Sequence, residues 1–404
     1  MADTENNKNS NSPASTSAPA LRFPGFTEPW RRIRLGDNCT IQMCKRIFAN
    51  QTSEIGEVPF FKIGTIGGYP DTFISKELFE EYKTRYNYPS EGEVMITCAG
   101  TVGKTMQFDG IDSYFQDSNI VWIHNPNQLT VNDFLAYVLG KINWNKLNST
   151  TITRIYNDDL RNLIYFAPEN VAEQRKIVSL LRLIDERIAT QRRLIEDLEK
   201  LKSSIIERYF TLQSNTKIKL GDIGSFIRGI TYSAEDVTDD ETAITIIRAN
   251  NLNYGRDVNG INVVYITKIP SEKQLLRKGD IAICMANGSS SLVGKNSYYP
   301  HDDKKSTIGA FCGIYRSPNP LVRWYMQSNA YKRQIYHSLQ GGNGAIANLN
   351  SEDILNITIP LISAEKAPTI VSALDNIEYS VRINVRLLDL LNKKRTYLLQ
   401  RMFI

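Results

Sequence analysis

Residues 172–210 read AEQRKIVSLLRLIDERIATQRRLIEDLEKLKSSIIERYF, 39 positions without Pro or Gly, with apolar side chains returning every three or four. The pattern predicts one helix of roughly 58 Å. Its stripe runs Ile177, Leu181, Ile184, Ile188, Ile195, Leu198, Ile205 and Tyr209, in the alternating steps of four and three that define a heptad seam. A seam so narrow on a helix so long is not covered by one small domain and calls for a second helix of similar length.

The chain supplies that helix at residues 365–403, EKAPTIVSALDNIEYSVRINVRLLDLLNKKRTYLLQRMF. Adding 193 to each seam position gives Ile370, Leu374, Ile377, Val381, Leu388, Leu391, Leu398 and Met402, all apolar. The interruptions repeat as well. Gln191 maps to Asn384 and Lys202 to Arg395, so each seam is broken by an amide and then by a base. The chain reads as a tandem duplication of one globular segment followed by one long helix. Pro368 fits only a first helical turn, which places the start of the second helix near Ala367. Candidate pairing positions are Ile184, Ile188, Gln191 and Ile195 against Ile377, Val381, Asn384 and Leu388. If the helices pair antiparallel, Gln191 and Asn384 fall within about one heptad layer of each other and penalise shifted registers. The alternative is a seam that rotates and leaves both amides in water.

The globular segments share a framework. From 31 to 168, IRLGD, VPFFKIG, GEVMITCAG, NIVWIHNP and NLIYFAP have strand character. ISKELFEEYKTRY and LTVNDFLAYVLGKI have helical character, each with Ser or Thr near its start. From 216 to 360, Leu35-Gly36-Asp37 recurs as Leu220-Gly221-Asp222, Val102-Gly103-Lys104 as Val293-Gly294-Lys295, and Asp159-Leu160-Arg161-Asn162 as Asp353-Ile354-Leu355-Asn356. The fold class is mixed α/β. The expected organisation is a disordered tail at 1–20, too poor in large apolar groups to order itself, globular domains at 21–168 and 213–360, and long helices at 169–212 and 361–404.

With 42% hydrophobic and 23% charged residues the composition is that of an ordinary globular protein. No apolar run approaches the ~20 residues that span a bilayer, and the N-terminus lacks a hydrophobic signal core, so a cytoplasmic protein with no membrane partner is expected. The five cysteines form no CxxC pair and the three histidines stand apart, which argues against a metal cluster and for buried reduced thiols. A net charge of +5 permits a nucleic-acid partner without demanding one.

Gly100-Thr101-Val102-Gly103-Lys104-Thr105 superficially suggests a phosphate loop, but the outer glycine that motif needs is Cys98, and the second copy ends in Asn296. Two readings stay open, a turn that carries Lys104 or Lys295 toward a partner and a plain hairpin turn. No serine elbow, HExxH, glycine-rich cofactor loop or complete methyltransferase Asn-Pro signature is present, so the chain is expected to bind rather than react. Basic, amide and aromatic side chains interleave in both globular segments, suited to phosphates and base edges. The candidates for DNA contact are Lys45, Lys62, Lys104 and Arg154 in the first, and Arg228, Arg248, Asn250, Lys295 and Asn343 in the second. Taken singly, most of them are readable as ordinary solvated surface residues.

The LRFPGFTEPW opening at 21–30, the Leu-Gly-Asp start of each half, the helix at 172–210 and its weaker copy ending LLNKKRTYLLQRMF together resemble the specificity subunits of type I restriction-modification systems. The resemblance spans 21–404. It implies a non-catalytic subunit with two target-recognition domains, each binding half of a bipartite site on double-stranded DNA, and two antiparallel helices, pseudo-twofold related, that set the gap. The partners it implies are two methyltransferase (modification) subunits and the restriction/translocase subunits. S-adenosylmethionine and ATP would sit on those partners and no cofactor on this chain. Three rivals remain: a specificity chain of a related bipartite-site system, a stand-alone nuclease or nucleotide-dependent enzyme with a coiled-coil arm, and a structural protein assembling through its helices.

Overall fold

A computed structural model describes residues 18–144, 154–211, 216–339 and 347–404. The chain divides into two compact units, residues up to 190 together with 388–404, and residues 191–387. The first 17 residues, which hold most of the tail expected to be disordered, lie outside the described residues.

In the first unit a four-stranded antiparallel sheet runs in the order Thr40–Gln42, Ile120–His124, Val94–Thr97, Thr105–Gln107. Alternate side chains of a strand face opposite sides of a sheet, and here both sides are buried. Val94, Ile96, Val121 and Ile123 pack with Phe134 and Leu135 of the helix Asn132–Lys141. Met95, Ile120 and Trp122 pack with Phe60, Phe79 and Tyr114. That is why these strands read as continuous apolar runs. The second layer is a smaller sheet, Phe73–Ile74, Val58–Phe61, Tyr114–Phe115, whose last pair is parallel.

The second unit repeats the plan. Its antiparallel sheet runs Ser225–Arg228, Cys312–Arg316, Ile281–Cys284, Asn296–Tyr298, and its second sheet contains the parallel pair Ile244–Ile247 and Ser306–Ile308. Ile281 and Ile283 pack with Trp324 and Tyr325, whereas Ala282 and Cys284 pack with Tyr299 and Ile314 on the other face.

The Leu-Gly-Asp triplets are not strand residues. They form single-turn helices, Leu35–Asn38 and Leu220–Ile223, after the strands Arg31–Arg34 and Lys217–Lys219. A Cβ on Gly36 would lie 2.8 Å from the Arg161 carbonyl oxygen, and one on Gly221 would lie 3.2 Å from that of Leu355. The glycine thus admits the backbone of the short helices Asn157–Arg161 and Ser351–Leu355, which accounts for the joint recurrence of both motifs. Capping departs from expectation at one of the two helices. Ser75 accepts from Leu78 N–H at 3.3 Å and caps Lys76–Arg85. Thr130 does not cap Asn132–Lys141; instead the Val131 N–H donates to Gln174 Oε1 at 2.8 Å.

The long helices span Val171–Thr211 and Ala367–Arg401, with Pro368 in the first turn of the latter. In the first unit Ile177, Leu181, Ile184 and Ile188 share a core with Leu398, Met402 and Phe403, and Leu388 and Leu391 pack against it. In the second unit Ile206 and Phe210 share a core with Ile370 and Leu374. Within each unit the paired helix segments run antiparallel.

Candidate nucleic-acid interface

Residues that end matched strands generate two matched loop crowns, one per unit. In the first, Thr97 pairs with Ile120 and Phe61 with Phe115, so the loops after Gln42, Phe61, Thr97 and Phe115 leave one end of the two sheets. They are tied to one another. Arg46 Nε donates to Asp117 Oδ2 at 2.8 Å, Ile63 N–H to Gln116 Oε1 at 3.3 Å, Cys98 N–H to the Asn119 carbonyl at 2.8 Å, and Ile155 N–H to that of Cys98 at 2.9 Å. Tyr69 stands 95% exposed on the loop after Phe61.

The second crown has the same skeleton. Gly309 N–H donates to the Ile247 carbonyl at 3.0 Å, as Gln116 N–H does to that of Phe61 at 2.9 Å. The first residue past the matched strand is therefore Lys62 in one copy and Arg248 in the other, a cation at the same topological point. The hairpin is matched too: Thr97 N–H donates to the Lys104 carbonyl at 3.0 Å and Cys284 N–H to that of Lys295 at 2.8 Å. Each hairpin leads from strand to strand, unlike a phosphate loop, which opens a helix.

The sequence-chosen residues divide by environment. Lys62 pairs with Asp71 at 2.9 Å and stays 40% exposed, and Lys45 is exposed, its ammonium 5.3 Å from the Tyr86 ring centre. One Arg154 amine donates to the Ser118 carbonyl at 3.4 Å. Arg228 is exposed at the end of its strand and Asn250 lies exposed beside Arg248, whose Nη2 donates to the Asn262 carbonyl at 3.1 Å. Lys104 and Lys295 each have a partner within the protein while keeping contact with solvent: exposed Lys104 donates from Nζ to the Ile66 carbonyl at 2.5 Å, and half-buried Lys295 has its Nζ 4.6 Å from the Tyr254 ring centre. Gly103, at φ +81°, sits on Trp144, and Gly294, at φ +79°, on Ile335; a Cβ would lie 2.0 Å and 2.6 Å from them. These glycines serve packing under the turn. Arg323 is stacked on Tyr298 and paired with Asp257 and Asp375. Asn343, with its GGNG stretch, lies outside the described residues.

Sequence reasoning missed the aromatic and amide side chains of the second crown, above all Tyr232, Asn287 and Phe311. Their signal is absent from periodicity because loop residues have none. At the bases of the crowns burial pushes the Cys98 thiol up to about 11 and the Cys312 thiol up to about 12, so both are protonated at neutral pH.

On the helices, Gln191 Nε2 donates to Asn384 Oδ1 at 2.5 Å. Val381 is buried, while Ile195 and Ile377 are half-buried. Lys202 Nζ meets Glu378 Oε2 at 2.6 Å with both side chains about nine-tenths buried, and Arg395 Nε meets Asp185 Oδ1 at 2.5 Å. Residues 202 and 378 are carried onto 395 and 185 by the same offset of 193, so the duplication preserves an ion pair in each copy with the base and the acid exchanged between helices.

Residues 27–200 match the family described as type I restriction modification DNA specificity domain. That stretch is similar to the DNA specificity domain of type I restriction systems. A Haemophilus influenzae protein named as a type I restriction enzyme specificity subunit is 48% identical over 149 residues, 37% of this chain and 38% of that protein. The EcoKI specificity subunit of Escherichia coli is 31% identical over 167 residues, 38% of this chain and 35% of that one. The matched stretch thus spans little more than a third of each. In fold the likeness extends over nearly the whole length: the type I S subunit from M. genitalium superposes with a TM-score of 0.62 over 96% of this chain and 99% of that one at 18% identity. The two-sheet units and long helices thus share their fold with that S subunit.

Proposed function

We propose that this chain is the DNA-reading, non-catalytic subunit of a type I restriction-modification complex. Each unit reads one half of a bipartite duplex site, and the long helices set the gap and dock two methyltransferase subunits. The observation that carries this reading is the pair of loop crowns built on one strand skeleton, each with a cation immediately past the same strand (Lys62, Arg248) and each with different loop side chains. A shared frame with divergent loops suits reading two sequences in one way. Methyl transfer from S-adenosylmethionine and ATP-driven translocation belong to partner subunits. No described helix is long and apolar enough to cross a membrane, which suits a partner in solution.

The test is binding of the full chain, with its methyltransferase partner, to duplexes carrying the motif methylated in the host. Affinity should fall steeply with salt as counterions are released. Exchanging residues 31–168 for the corresponding segment of another such subunit should change one half of the methylated motif and leave the other intact. Both halves changing together, or methylation or cleavage by the single chain, would overturn the reading.

A further inference from the structure

The second crown encloses a groove of about 840 Å³. Its floor and walls are mostly apolar, from Ile230, Tyr232, Ala249 and Ala310, and its lining contains one cation, Arg248, and no carboxylate. Phe311 stands at its rim, 71% exposed. Its backbone is fixed, because Met285 N–H donates to its carbonyl at 2.8 Å and Cys312 N–H closes the turn onto the Gly309 carbonyl at 2.9 Å. An aromatic ring on a pinned turn, unpacked against its own protein, is pre-arranged for something outside. Asn250 and Asn287 add amides to the same lining, and Arg248 Nε is out of solvent without a hydrogen-bond partner among the described residues.

Resting on the DNA-reading function, we propose that this groove recognises a thymine·adenine pair through the major groove, with Phe311 and Ala310 against the thymine 5-methyl group and Asn250 toward the adenine edge. A·T is the pair that presents a methyl group beside an acceptor and donor, adenine N7 and N6, which an Asn amide matches with two hydrogen bonds. A G·C pair offers no apolar surface to fill such a groove. The lining's charge, positive with no acid, suits a polyanion. The first crown has Gln116, Asp117 and Ser118 where the second has the Gly309–Phe311 turn, so the preference is specific to the half-site read by the second unit.

The experiment uses the full chain with its methyltransferase partner and duplexes bearing the host's methylated motif. Exchange of residues 216–360 identifies the half-site concerned. That half should contain an A·T pair at which replacing thymine by deoxyuridine, which removes only the methyl group, weakens binding about fourfold. Phe311→Ala should bind the thymine and uracil duplexes alike, and Asn250→Ala should lower the preference for A·T at that pair roughly tenfold. A half-site specified only by G·C pairs, or a uracil penalty undiminished in Phe311→Ala, overturns the proposal. So does unstacking of the adjacent base step, seen by 2-aminopurine fluorescence, which would make Phe311 a wedge. A wild-type complex with no sequence preference at all would instead overturn the DNA-reading function, so the two failures are distinguishable.

Discussion

Lys104 illustrates what sequence and structure each contribute at a single residue. Its recurrence as Lys295 marked it for a role, and the glycine before it suggested an approach to a partner; the exposed ammonium gives one of its three donors to the Ile66 carbonyl, within the loop that carries Lys62 and Tyr69. Lys104 therefore positions that loop. Lys104→Ala is expected to weaken binding to the half-site read by the first unit while leaving the salt slope unchanged, with partial rescue by Lys104→Arg. A slope lowered by about one would instead mark a phosphate contact. The cysteines make a second prediction. Burial pushes Cys39 and Cys98 up to about 11 and Cys44 and Cys312 up to about 12, against about 8.5 for a free thiol. Since these folded values lie above the unfolded one, the unfolded chain ionises first. The stability they contribute is complete below about pH 8.5 and is lost as pH rises toward 11 to 12. Denaturant midpoints measured at pH 8 and pH 10.5 should fall with pH, and the native thiols should react slowly with alkylating agents at pH 8.

At the level of elements, the sequence was most legible where periodicity is imposed by burial. The helices at Val171–Thr211 and Ala367–Arg401 end within a residue or two of the apolar pattern, because a seam repeating over five heptads has one solution. The buried strands were visible as apolar runs for the same reason. The polar partners of the seam were not visible. Glu378 and Asp185 have no periodic signature, and only the structure joins them to Lys202 and Arg395. The N-terminal strap is a similar case: Arg22 forms a two-pronged pair with the buried Glu173 at 2.7 and 2.8 Å, across 151 residues of sequence. Removing one member of a buried pair leaves a charge without compensation, so Lys202→Ala should destabilise the second unit by about 3–5 kcal/mol, whereas Lys202→Met with Glu378→Met should be near neutral. Urea denaturation of the two variants checks this. Equal losses would show that the ion pair is not the source of the effect.

For the whole molecule, the duplication has a consequence beyond the two units that we propose read DNA. Each long helix gives one half to each unit, with its midpoint near Gln191 or Asn384, and the amides of those two residues meet. In water either amide has partners anywhere; inside an apolar seam a shifted register leaves it facing aliphatic side chains. We therefore assign Gln191 and Asn384 the role of fixing axial register, and through it the gap tolerated between half-sites. An insertion that preserves the seam must be a full heptad, since four residues alone introduce a stutter that rotates it. Seven residues inserted after both Gln191 and Asn384 lengthen each helix by roughly 10.5 Å, about three base pairs at 3.4 Å each. The methylated motif of cells carrying this variant should keep both half-sites and gain about three unspecified pairs between them. Gln191→Leu with Asn384→Leu should raise thermal stability while relaxing the gap to a mixture of lengths, since an all-apolar seam no longer discriminates between registers. An insertion variant that methylates the original gap, or a double-Leu variant as strict as the parent, would place the ruler elsewhere in the chain.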